Sequence, residues 1–304
     1  MKTKIIITPL LLLIVLFLGQ SFGQYKSVSS HGLDVHYRIF GEGEPLLVIG
    51  GGPGDDSNRY LSLCNLLSKN HKCILVDQRG TGKSTPEVLD STTISIDLTL
   101  DDFEAIRNQL GLSTWNVLGF SFGGYLASLY ANYFPESVTS LILLGSMGLN
   151  TNGFSHFLDN ITSRMQANDF DLFEYWSDST RVAQDPKHAL VERIRARMPG
   201  YFYDRKNSLY VTQNMKDSDF NFEMGRWIWK DIVDKNLDLA EFDSILENPV
   251  LILHGRQDPF GELKAESLRK YYKNSKLIFV EKAGHYSWLE RSEIISEELK
   301  NFIK

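Results

Sequence analysis

Cysteine is nearly absent from this 304-residue chain, with Cys64 and Cys73 its only two. Two cysteines exclude a disulfide-built scaffold and a four-cysteine metal site. Basic residues are not in excess either. Lys and Arg number 32 against 38 Asp and Glu, a formal net charge of −6. A nucleic-acid partner is therefore not expected, because phosphates need a positive surface. Long apolar runs are missing after the first twenty residues, and no internal repeat or low-complexity tract occurs. What remains is 42% apolar and 23% charged. That is the composition of a folded globular protein long enough to bury a large core.

The first residues read as a leader rather than as part of the fold. Lys2 and Lys4 open the chain, and an apolar run follows from Ile5 to Leu18, broken only by Thr8 and Pro9. Those 14 residues suit a signal-peptide core and are short for a membrane span. Ser21 and Gly23 are small and two apart, which predicts cleavage after Gly23 and a mature start at Gln24. An uncleaved anchor is the competing reading. Cleavage removes two lysines and no acid, taking the charge to −8. The expectation is an exported protein, periplasmic or extracellular, without stable membrane association. In that oxidising setting a Cys64–Cys73 bridge is conceivable. Two small buried apolar side chains are the favoured reading.

Downstream, Val35, Tyr37 and Ile39 alternate with His36 and Arg38, the period of a half-buried strand. Short apolar runs follow at Leu46–Ile49, Cys73–Val76, Trp115–Leu118, Val138–Leu144, Val250–His254 and Lys276–Val280. Runs of this kind suit parallel strands buried on both faces. Helical patterns lie between them. Thr99 with Asp102 resembles a capping box before Phe103, Ile106 and Leu110. Phe122–Asn132 and Glu290–Ile303 are also helical in pattern. The expected class is α/β, a mostly parallel sheet with helices on both faces. The rhythm breaks over residues 146–243, a stretch rich in aromatics with helical spacing. It reads as a helical cap inserted between core segments 24–145 and 244–304.

Gly119-Phe120-Ser121-Phe122-Gly123 follows an apolar strand and precedes a helical run. In that context G-x-S-x-G is a nucleophile elbow. Ser121 then sits on a sharp turn at a helix N-terminus, where free N–H groups favour developing negative charge. The base and its orienter should follow in the order acid, then histidine. Asp258, in Gly255-Arg256-Gln257-Asp258-Pro259, and His285, after Gly284, are the pair in that order. Each follows a predicted strand, where α/β sheets place their chemistry. His254 ends a strand and reads as structural. Asp77 competes as the acid but precedes the serine. The N–H of Phe122 is one expected oxyanion donor, and the loop Gly50-Gly51-Gly52-Pro53-Gly54 should supply the other. No phosphate-loop spacing accompanies those glycines. Nothing points to a metal or an organic cofactor.

These segments together resemble the α/β-hydrolases of the proline iminopeptidase group, peptidase family S33. The resemblance rests on Gly51-Gly52-Pro53-Gly54, on Asp77-Gln78-Arg79-Gly80-Thr81-Gly82-Lys83-Ser84, on the elbow, on Gly255–Asp258 and on Gly284-His285. It implies a Ser121–His285–Asp258 triad, and Gly52 as second oxyanion donor, with Gly51 the alternative. It also implies a short peptide substrate with N-terminal proline. The Asp77–Ser84 segment would brace the sheet end. Two departures stand out. Gly50 replaces the group's usual histidine, and the acidic residues that grip the substrate amine, mostly from the cap, have no direct match. Glu223 and Glu174 are the candidates there, set among aromatics. The expected function is a secreted serine hydrolase, an aminopeptidase of this kind. A carboxylesterase acting on small esters or amides is the first alternative. A non-catalytic ligand-binding protein on the same fold is a remote one.

Overall fold

The computed structural model describes residues 23–152, 154–241 and 246–304. The predicted leader lies outside the described residues except for Gly23. Eight strands form one sheet in the order β1-β2-β4-β3-β5-β6-β7-β8. They are β1 (Gln24–Ser30), β2 (Leu33–Phe40), β3 (Pro45–Ile49), β4 (Lys72–Val76), β5 (Trp115–Phe120), β6 (Val138–Leu144), β7 (Val250–Gly255) and β8 (Ser275–Val280). β1, β2 and β4 pair antiparallel, and every pairing from β4 through β8 is parallel. This is the α/β-hydrolase fold.

Alternation along the central strands divides the core between the two faces. Leu47 and Ile49 pack to one side with Val117, Leu141 and Leu143. Leu46 and Val48 pack to the other with Leu118, Phe120 and Ile142. Helices α2 (Ile96–Gln109), α3 (Phe122–Tyr133) and α10 (Glu262–Tyr271) cover the first face. Helices α1 (Leu61–Leu67) and α12 (Ser292–Phe302), preceded by the short α11 (Ser287–Glu290), cover the second. In α12, Ile295 and Leu299 are four apart and both fully buried, so one helical stripe faces the sheet. Cys64 and Cys73 are free and buried on this side. Between β6 and β7 the chain forms α4 (Phe154–Thr162), α5 (Ala167–Ser177), α6 (Ser179–Gln184), α7 (Pro186–Arg197), α8 (Leu209–Thr212) and α9 (Phe222–Asp234).

Two local expectations need correction, and one strand lies outside the predicted runs. Strand β1 has no apolar run to announce it. Its sequence, Gln-Tyr-Lys-Ser-Val-Ser-Ser, lies on the sheet edge and is largely exposed. β8 is the opposite edge rather than a doubly buried strand, and most of its residues are only partly covered. Helix α2 starts a turn before the Thr99–Asp102 pair. Ser95 caps it by accepting the Leu98 N–H at 3.3 Å. Thr99 instead donates back to the Ser95 carbonyl at 2.8 Å. Asp102 faces inward to meet Arg79 at 2.9 and 2.5 Å, in a pair shielded from solvent. That pair fixes the Asp77–Ser84 segment to α2. Gln78 Nε2 also donates to the Gly50 carbonyl at 3.0 Å.

Candidate active site

Strand β5 ends at Phe120 and α3 begins at Phe122, leaving Ser121 as the only residue of the turn. Its φ is 57° and ψ −120°. A non-glycine residue in that region costs about 1–3 kcal/mol. The turn is held by the Ser121 N–H on the Leu144 carbonyl (3.2 Å) and by the Gly124 and Met147 N–H groups on the Ser121 carbonyl (3.0 Å each). Side chains would break the crossing. A Cβ at Gly119 would strike the Gly123 carbonyl, and one at Gly123 would strike the carbonyls of Ile49 and Gly50. Gly119 lets β5 and α3 pass at backbone contact, and Gly123 lets α3 approach the end of β3.

His285 and Asp258 come from the loops after β8 and β7. They meet through Nδ1 and Oδ2 at 2.8 Å, and both are almost completely buried. The second Asp258 oxygen accepts the Phe260 N–H at 2.9 Å. Burial pushes the Asp258 carboxyl upward, but the nearby His285 and His254 and the hydrogen bonds from His285 and Phe260 together outweigh it and hold the group below its ordinary value. His285 is further fixed by its own N–H, which donates to the Tyr201 carbonyl at 2.7 Å. Phe120, Phe260 and Phe157 pack round its ring at 4.7, 5.4 and 5.6 Å between centroids.

Ser121 and His285 line one cavity of about 190 Å³, together with Gly51, Gly52 and Phe122. The Phe122 N–H is the first of α3 and so has no intrahelical acceptor. Among the described residues neither it nor the Gly52 N–H has a hydrogen-bond partner. The walls are aromatic, with Phe154 and Phe157 from α4 and Phe220, Phe222 and Tyr201 from the rest of the inserted segment. The arrangement offers a strained hydroxyl, an oriented imidazole and free N–H donors around one cavity. Those are the parts that acyl transfer needs.

Other predicted residues lie elsewhere. Glu223 is exposed and turned away from the cavity. It pairs with Arg226 and accepts the Trp227 indole N–H at 3.0 Å. Glu174 is exposed on α5. The amphipathic turn of each helix points these carboxylates to solvent, so neither lines the cavity. Asp77 is buried but accepts from Ser57 and from the Lys83 N–H (2.9 Å), bracing the segment that follows β4. His254 is buried beside Phe279, away from the cavity lining.

Sequence reasoning missed the cavity's ionic pair. Asp55 and Arg59 both line it, joined at 3.1 Å between Oδ2 and Nε, with Tyr60 OH donating to the same oxygen at 2.8 Å. The Arg59 Nη2 reaches Tyr286 OH at 3.4 Å. Burial pushes the Arg59 guanidinium down, but the Asp55 charge together with Tyr286 and Tyr60 outweighs it and holds the group above its ordinary value. One signal was available. Asp55 directly follows the Gly50–Gly54 loop.

A family model described as alpha/beta hydrolase fold matches residues 44–292. The proline iminopeptidase of Xylella fastidiosa (strain 9a5c) is 27% identical over 288 residues, covering 84% of this chain and 90% of that protein. The proline iminopeptidase of Lactobacillus crispatus (strain ST1) is 24% identical over 305 residues, 90% of this chain and 95% of that protein. Among solved structures, an alpha/beta fold family hydrolase from Bacillus anthracis superposes with a TM-score of 0.72 at 20% identity, covering 92% of this chain and 99% of that one. An esterase from Exiguobacterium antarcticum superposes with a TM-score of 0.63 at 22% identity, covering 92% and 98%. Similarity of that order speaks to the fold alone.

Proposed function

We propose that this chain, which belongs to the alpha/beta hydrolase family, is a serine hydrolase working through an acyl-enzyme. One observation carries the proposal. His285 and Asp258 are bonded at 2.8 Å behind a cavity that Ser121 also lines. Ser121 Oγ attacks the substrate carbonyl carbon while His285 Nε2 takes its proton. Asp258 holds the imidazole by its Nδ1–H and stabilises the imidazolium. The carbonyl electron pair moves onto oxygen, which the N–H groups of Phe122 and Gly52 receive. Collapse breaks the bond to the leaving amine or alcohol, which departs with the proton from His285. Water, deprotonated by the same imidazole, then frees the acid and restores Ser121. These steps call for no metal or organic cofactor.

Within that class we propose an aminopeptidase of the proline iminopeptidase kind, releasing N-terminal residues from short peptides. Two relatives matched over most of their length carry that name. The small aromatic cavity suits a single apolar residue. The inserted helices serve as a cap over it, and residues 1–23 direct export. A carboxylesterase is the second reading, favoured because no carboxylate of the inserted helices lines the cavity among the described residues.

The test is a substrate panel with active-site labelling. A fluorophosphonate probe is expected to modify Ser121. An aminoacyl arylamide is expected to turn over, and its N-acetylated form is not. An unlabelled Ser121 sinks the hydrolase, and a preference for acyl esters over the free-amine arylamide transfers the assignment to an esterase. N-terminal sequencing of the exported protein should begin at Gln24.

A further inference from the structure

We propose that Asp55 is the acceptor for a cationic amine on the substrate, carried by the carbon next to the carbonyl that Ser121 attacks. The proposal rests on the hydrolase reading for what happens at Ser121, and on the cavity itself for what Asp55 does.

Among the described residues Asp55 is the only carboxylate in the cavity wall. Its Oδ2 takes both protein donors, Arg59 Nε–H and Tyr60 O–H. Its Oδ1 receives none from the described residues. A carboxylate has about four lone-pair sites, so half of this one is unused. The position is close to the serine. A point one bond beyond Gly51 Cα lies 3.0 Å from Ser121 Cβ and 3.2 Å from the Tyr60 hydroxyl that bonds Asp55.

Arg59 does not compete for the same substrate group. Its guanidinium is committed to Asp55, to Tyr286 OH, and to the face of Phe220 at 4.6 Å. It fixes Asp55 through one oxygen while leaving the second open. The rings of Phe120, Phe220, Phe222 and Tyr286 line the same cavity. The ligand class is an α-amino acyl compound, such as an aminoacyl amide, an aminoacyl ester or a peptide with a free N-terminus. Recognition then comes from the loop after β3 and not from a carboxylate on the inserted helices.

Binding is measured on the Ser121→Ala variant, which needs no turnover, so the result is independent of whether Ser121 is a nucleophile. Alaninamide and prolinamide are titrated calorimetrically against their N-acetylated forms. The free amines are expected to bind about tenfold to a hundredfold more tightly, as for one charge-assisted hydrogen bond. Adding Asp55→Asn should erase the difference, and adding Asp55→Glu should retain part of it. Asp55→Asn strips Arg59 of its counter-charge, so Asp55→Asn with Arg59→Met is measured beside it, and each variant is checked by thermal melt. Raising the pH through the amine's own pKa, about 8, should also remove the difference without any change at Asp55. Equal affinity for free and acetylated amides overturns the proposal. So does a preference that survives both Asp55 replacements, or tighter binding of an N-succinyl amide, which would move recognition to Arg59.

Discussion

His285 and Asp258, 27 residues apart in sequence, meet at 2.8 Å from two neighbouring loops at the carboxyl ends of β7 and β8. The bond fixes which imidazole nitrogen carries the proton, and with it which nitrogen faces the cavity. Asp258→Asn should leave the packing in place while favouring the wrong tautomer. The expected loss in kcat is about 10⁴-fold, by analogy with the Ser-His-Asp enzymes in which this change has that effect. Steady-state kinetics at fixed pH, with a thermal melt to confirm folding, measure it. A loss of less than about tenfold would remove Asp258 from the relay.

Ser121→Ala is expected to abolish turnover of both esters and arylamides. It should not destabilise the fold, because alanine keeps the same Cβ and leaves the backbone at its φ of 57°. Near-wild-type rates on any panel substrate would identify another nucleophile.

Gly145 follows β6 with φ +50°, and a Cβ there would lie 3.0 Å from Asp258 Oδ2 and 3.3 Å from His285 Nδ1. Gly145→Ala therefore adds backbone strain and presses on the His–Asp bond. Strain alone predicts a stability loss of about 1–2 kcal/mol. The displaced pair should also lower kcat more than it raises KM. A variant with the melting shift and unchanged kcat would show that the pair tolerates the intrusion.

Arg79 and Asp102 form an ion pair with side chains only 2% and 1% exposed. Arg79→Met leaves a buried carboxylate without its partner, a change that typically costs about 3–5 kcal/mol. Denaturant unfolding measures it. Replacing both residues, Arg79→Met with Asp102→Leu, should recover much of the loss, because no uncompensated charge remains. If the double variant is as unstable as the single one, the loss comes from packing.

His254 is buried at the end of β7, and its Nε2 has no partner among the described residues. Burial holds its pKa below the ordinary 6.5. The unfolded chain therefore binds more protons than the folded one as the pH falls through 6.5. Stability should be full above that value and decline on acidification until the pH passes below the depressed folded pKa. His71, whose pKa burial also lowers, adds to the same slope. Melting temperatures of wild type and His254→Leu between pH 7.5 and about 5 compare the two. The variant should show the shallower slope, and parallel curves would exclude His254 as a source.

The residue string by itself determined the sheet and the elbow. Apolar runs such as Leu46–Ile49 coincide with strands, because a segment buried on both faces favours apolar side chains. Gly119 and Gly123 around Ser121 are legible for the same kind of reason, since only a missing side chain permits that crossing. The edge strand β1 left no such mark, because water tolerates almost any residue there. Only the folded chain decided how the cavity is charged. Asp55, Arg59 and Tyr60 look like an ordinary polar turn in sequence, and Glu223 looks equally eligible to face a substrate. Which carboxylate meets the cavity depends on the direction a loop or helix face takes once distant segments pack against it, and local sequence carries no record of that direction.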